Sequence, residues 1–231
     1  LAEFVGKEDC LVFSTGYNAN LGLISALVGK DDVVYLDKLD HASIVDGAKM
    51  SYGTTTRFNH GNLAQLDRKM APDPASGRGM MLIVDGVYSM EGDIADVAGL
   101  SAVARKHGAA LAIDDAHSLG VLGPKGDGTA AHFGMTDEVD IIAGTFSKSL
   151  ASIGGFVAAR SNVVDYLRHH CRPLIFTASL PPANTAGVLA ALEVMQQEPE
   201  RRESLWANAR RLQEGFRQLG HLRRPAQLVG E

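Results

Sequence analysis

The stretch "VDIIAGTFSKSLASIGGFVAA", residues 139–159, sets two apolar runs on either side of a short segment of glycines, hydroxyls and one lysine, Lys148. A run that is apolar at every position, rather than at alternate ones, reads as a strand covered on both faces, the habit of parallel sheets with helical crossovers. The connector between the two runs is too short and too glycine-rich to hold a crossover helix. The second strand is therefore expected to return antiparallel to the first.

Working outward, the same grammar repeats. "CLVFST" precedes the helical "NANLGLISALVG", "DVVYLD" precedes "HASIVDGAKM", and "TTRF" precedes "NLAQLDRKM", where Asn62 and Gln65 have capping-box spacing. "GMMLIVDGV", "AGLSAVARKHG" and "ALAIDDAH" follow, and the polar "PDPASGRG" reads as a loop. The expected fold is α/β, a mostly parallel sheet with helices on both faces and one antiparallel strand. From Asn162 onward the pattern turns helical. Residues 1–180 are accordingly expected to form one α/β domain, and 181–231 a helical segment leading to a further domain.

With 231 residues and 45% hydrophobic composition, the chain can build one large core or one domain and part of another. Its net charge of −5, without sustained runs of either sign, offers no footprint for a nucleic-acid backbone. Cys10 and Cys171 belong to no disulfide framework or zinc pattern, so a reducing cytoplasm is the default location. No apolar run approaches the roughly 20 residues that span a bilayer, and no basic amphipathic helix stands out, so membrane contact is peripheral at most. The opening "LAEFVGKEDC" is neither a signal peptide nor a Met start and reads as a helix end, as in a fragment.

In open α/β sheets ligands bind beyond the carboxyl ends of the strands, where several polar clusters fall here. "STGYNAN" opens a helix after a strand, so the N–H groups at Gly16 and Tyr17 either hold a phosphate or simply start the helix. "DDAH" ends another strand: Asp114 either holds a ring nitrogen protonated or caps a turn, and His117 either joins it or is structural. Lys148 is either a partly desolvated nucleophile of the Schiff-base kind or a surface lysine. His41 is a helix start or a ring that stacks on an aromatic ligand, and Thr177 and Ser179 precede a Pro-Pro turn. A GxSxG elbow, a Walker A loop and a GxGxxG turn after a strand are all missing from the sequence.

In this order, "STGYNAN", "DHAS", "DGVYSMEGD", "DDAHSLGVLGPKGDG", "GTFSKS" and "IFTASLPP" resemble the α-oxoamine synthases, pyridoxal-phosphate (PLP) enzymes of fold type I. The resemblance implies decarboxylative condensation of an amino acid with an acyl-CoA. "CRPLIFTASLPP", "GTFSKS" and "LWANARRL" are most similar to the bacterial branch that joins L-serine to a long-chain acyl-CoA in sphingolipid synthesis. It further implies that Lys148 holds the cofactor and moves the α-proton, and that Asp114 pairs with the ring nitrogen. His117 and Ser89 would lie near the ring's phenolic oxygen, and His41 would stack on its face. Gly16, Tyr17, Thr145 and Ser147 would bind the phosphate, and Thr177 would reach the cofactor of the second subunit in a homodimer. Non-catalytic relatives lack the lysine, and Lys148, Asp114 and His117 are all present here.

Three positions depart from the family pattern: Asp115 stands for a glutamate, Glu91 for an apolar residue or Asp, and Ala151 for a glycine. Asp115 is expected to point away from the ring, and Ala151 to tighten the loop after the lysine.

Overall fold

The computed structural model describes residues 1–71 and 77–221; part of "PDPASGRG" and the end of the 181–231 segment lie outside the described residues. Seven strands form one sheet: β1 (Asp9–Phe13), β2 (Val33–Asp37), β3 (Thr54–Phe58), β4 (Met80–Asp85), β5 (Ala110–Asp114), β6 (Ile141–Thr145) and β7 (Gly155–Ala159). Their spatial order is β1-β7-β6-β5-β4-β2-β3. The neighbours from β6 through β3 are parallel, and β7 runs antiparallel to both β6 and β1, as the short glycine-rich connector requires. Because β7 is the only reversed strand among the described residues, β1 ends on the same edge as β2, β4, β5 and β6.

The strands are apolar throughout because each feeds two cores. In β2, Val33 and Tyr35 face one core while Val34 and Leu36 face the other; in β7, Phe156 and Ala158 are separated from Val157 and Ala159 in the same way. One face is covered by α1 (Ala2–Val5), α4 (Leu63–Met70), α5 (Val97–His107) and α9 (Pro182–Gln197), and the other by α2 (Gly16–Leu27), α3 (Ala42–Met50) and α7 (Ser161–His170). The outermost strands are the exceptions. Val12 of β1 is exposed, and β3 turns Thr54, Thr55 and Arg57 to solvent, because an edge strand lies under less helix.

Shorter helices α6 (Thr129–His132) and α8 (Arg172–Ile175) fill connections, and α10 (Glu200–Gln218) closes the described chain. The helical tail docks on the sheet domain: Val188 and Leu192 of α9 enter its core, and Trp206 Nε1 and Arg202 of α10 donate to the carbonyls of Val121 and Pro124. Asn62 caps α4 by accepting from Gln65 N at 2.9 Å, but the return arm differs from a capping box: Gln65 Oε1 accepts from Asn59 N, not from Asn62 N. Among the described residues no helix is long and apolar enough to cross a membrane.

Candidate active site

Five strand ends converge on one cavity of about 300 Å³. After β1, Thr15 leaves the strand with extended backbone and caps α2, its side chain accepting from Asn18 N at 3.0 Å. This leaves the N–H groups of Gly16 and Tyr17 at the positive end of a 12-residue helix, on the cavity wall. Gly16 is needed there for space: a Cβ would stand 2.7 Å from Thr145 Cβ.

Beyond β6, the Thr145 and Ser147 hydroxyls bond each other at 2.9 Å, with Thr145 also donating to the Gly154 carbonyl at 3.0 Å. Two hydroxyls and two backbone N–H groups thus share one corner, a donor set suited to an anion. Lys148 lines the same cavity. Of the two readings of Lys148, its exposure matches the surface lysine: neighbouring Ile153 is also 50% exposed, so this side of the cavity opens to solvent.

The opposite end is acidic. Asp114 and Asp85 are registered neighbours at the ends of β5 and β4, both on the cavity wall and both buried. Burial, then the nearby Asp114 carboxylate, raises the Asp85 pKa, because two adjacent buried acids resist ionising together. Asp85 Oδ2 accepts from His41 N at 2.8 Å. Of the two roles the sequence left open, Asp114 shows the turn cap, Oδ1 accepting from Ala116 N at 2.9 Å, while Oδ2 accepts from Asn20 Nδ2 at 2.6 Å. A pair of buried acids here suits a cationic N–H.

His41 is the N-cap of α3 and also lines the cavity, with Tyr17 edge-on to its ring at 6.5 Å between centroids. Tyr17 is itself tied to α3 through its hydroxyl, which donates to Asp46. His117 and Ser89 complete the wall. Burial, and then the Lys148 charge, lowers the His117 pKa.

Thr177 lies outside this cavity: it is exposed, and its hydroxyl donates to the Pro173 carbonyl at 2.5 Å. Asp115 points away, as expected, and is fully buried, accepting from Ser118 Oγ at 2.5 Å and from Thr129 N at 3.1 Å. Asn20, Ser43 and Asp85 also line the cavity, although the sequence assigned none of them a role. The available signal for Asn20 was its place one turn after Gly16, an amide on the face that α2 buries.

A model of the aminotransferase class I and II family matches residues 1–228, and the chain belongs to that family. Within it, the chain is 49% identical over 208 residues to serine palmitoyltransferase of Sphingobacterium spiritivorum, covering 90% of this chain and 52% of the relative. It is 46% identical over 221 residues to 8-amino-7-oxononanoate synthase of Alkalilimnicola ehrlichii, covering 95% and 56%. A solved serine palmitoyltransferase variant from S. paucimobilis with bound PLP–myriocin aldimine superposes with a TM-score of 0.91 at 42% identity, over 94% of this chain and 55% of that one. The chain thus spans about half the length of the relatives it matches.

Proposed function

We propose that this chain carries the cofactor-binding part of a PLP-dependent acyltransferase, a serine palmitoyltransferase that joins L-serine to palmitoyl-CoA with loss of carbon dioxide. The observation that carries the reading is the convergence of an amine, an anion-binding corner, a carboxylate pair and an aromatic ring on one cavity. The residues fit the cofactor. The corner formed by α2, Thr145 and Ser147 suits its phosphate, and the Gly16 position leaves room only because no Cβ fills it. At the acidic end Asn20 Oδ1 is buried without a partner, an acceptor beside Asp114 for a ligand.

When bound, PLP supplies an electron sink that stabilises negative charge at an amino acid's α-carbon. The chain's own groups do the rest. Lys148 Nζ is the amine for the cofactor's aldehyde and the base that takes the α-proton. The Asp114 carboxylate would keep the ring nitrogen protonated, and the His41 ring would pack against the ring's face. His117 and Ser89 serve the ring's phenolic oxygen. Thr177, exposed outside its own cavity, serves the cofactor of the second subunit in a homodimer with shared sites. Residues 1–180 act as the cofactor domain and 181–231 as the helical segment that follows. The setting is cytoplasmic sphingolipid synthesis, with membrane contact at most peripheral.

The test is absorbance of the purified chain titrated with PLP, then with L-serine, L-alanine or glycine, followed by CoA release from palmitoyl-CoA. A cofactor band that responds to serine above the other two, with CoA release, is the expected result. The 46% identity to 8-amino-7-oxononanoate synthase supports a second reading, which a preference for alanine would select. A preference for glycine would point to glycine C-acetyltransferase or 5-aminolevulinate synthase. No cofactor band at all would point to a non-catalytic partner subunit.

A further inference from the structure

The amide of Asn20 on α2 is 2% exposed and stands between two groups already placed in the site. Its Nδ2 donates to Asp114 Oδ2 at 2.6 Å and to Ser43 Oγ at 2.9 Å, which uses both hydrogens. The reverse orientation would set the amide oxygen against a carboxylate oxygen, so the network itself decides which end faces Asp114. Ser43 Oγ, accepting from Asn20, keeps its own hydrogen for its other neighbour, His41 Nδ1, at 2.7 Å. The backbone N–H of Ser43, which can only donate, meets the same Nδ1 at 3.2 Å. Nδ1 therefore accepts twice and carries no proton, which leaves the ring hydrogen on Nε2.

We infer that Asn20 is a positioning residue: one amide aims the Asp114 carboxylate and, through the Ser43 hydroxyl, fixes His41 as the Nε2–H tautomer. Three elements must meet for this. Asn20 lies on α2, Ser43 on α3 and Asp114 at the end of β5, and α3 approaches α2 closely because residue 47 is glycine, whose Cβ would stand 2.9 Å from the Asn20 carbonyl oxygen. The consequence for the reaction rests on the PLP reading above: the group facing the ring nitrogen and the group facing the ring plane are set by a single side chain, so they adjust together.

The experiment is long-range ¹H–¹⁵N spectroscopy of the full chain labelled at histidine, for wild type, Asn20→Leu and Ser43→Ala, with PLP titrated into each. Wild-type His41 should read as protonated at Nε2, with a hydrogen-bonded Nδ1. Both variants should shift the Nδ1 resonance, and Asn20→Leu should weaken PLP binding about tenfold. An Nδ1–H tautomer in wild type, or ring resonances unmoved by Asn20→Leu, would overturn the inference; if that variant fails to fold, unmoved resonances in Ser43→Ala do the same. Shifted resonances in a chain that never takes up PLP would uphold the relay and sink the functional reading instead.

Discussion

Lys148 and Ala151 sit three residues apart on one loop and illustrate two kinds of constraint. The lysine is chemical: its amine shares a cavity with the Thr145 and Ser147 hydroxyls. Lys148→Ala should abolish covalent retention of PLP, read as complete loss of the cofactor band after desalting, while thermal unfolding stays close to wild type because the side chain is exposed. The alanine is conformational. With φ +49° it is the only non-glycine residue at positive φ among the described residues, so the missing family glycine shows as a strained backbone. A left-handed residue costs roughly 1–2 kcal/mol, and glycine returns about 0.4–1 kcal/mol of that through a freer unfolded chain. Ala151→Gly should therefore stabilise by about 0.5–1 kcal/mol, a rise of a few degrees in a thermal melt. The motif around Lys148 was plain in the sequence. Asn20 was not, because a buried amide inside a helical pattern looks like any polar residue until its partners, 23 and 94 residues away, are brought to it.

Among elements, α2 does the most to build the site: its N-terminus forms the anion corner and its next turn carries Asn20. Its entry depends on two glycines packed backbone to backbone, since a Cβ on Gly155 would stand 2.5 Å from Gly16 Cα. Gly16 has an ordinary φ, so its role is close approach, not backbone freedom. Gly16→Ala should push Thr145 aside and weaken PLP affinity at least tenfold, measured by fluorescence titration, with a helical content unchanged by circular dichroism. An unchanged affinity would remove the anion corner from the proposal. The cap itself is readable from "STGYNAN", because Thr15 and Asn18 are local partners. The capping arm of Gln65 is not legible in the sequence for the opposite reason: the loop's fold carries Asn59 N to it.

At the scale of the whole molecule, buried acids line the carboxyl edge of the sheet. Asp40 accepts from the backbone of Asp37 at 2.6 Å and of Asp85 at 3.0 Å, fastening β2 to β4, and burial holds its pKa well above the carboxylate range. Burial raises Asp115 from 3.8 to about 6, against the lowering effect of its bonds from Ser118 and Thr129. A raised folded pKa means that the native state binds more protons than the unfolded chain. The stability from such a group is full below its unfolded value and is lost as pH rises through the folded one. The difference in unfolding free energy between wild type and Asp115→Asn should therefore fall from pH 4 to about pH 6, no faster than about 1.4 kcal/mol per pH unit. It should then level off in urea titrations; a flat difference would mean that Asp115 titrates normally. The strands, the reversal of β7 and the grouping of residues around Lys148 are legible in the amino-acid order, because apolar runs, short connectors and motifs are local. That strand ends far apart in the chain share one cavity, that Asn20 and Asp85 line it, and that Lys148 faces solvent emerge from folding alone. Those facts depend on the strand order and on the close approach of α2, which no local pattern encodes.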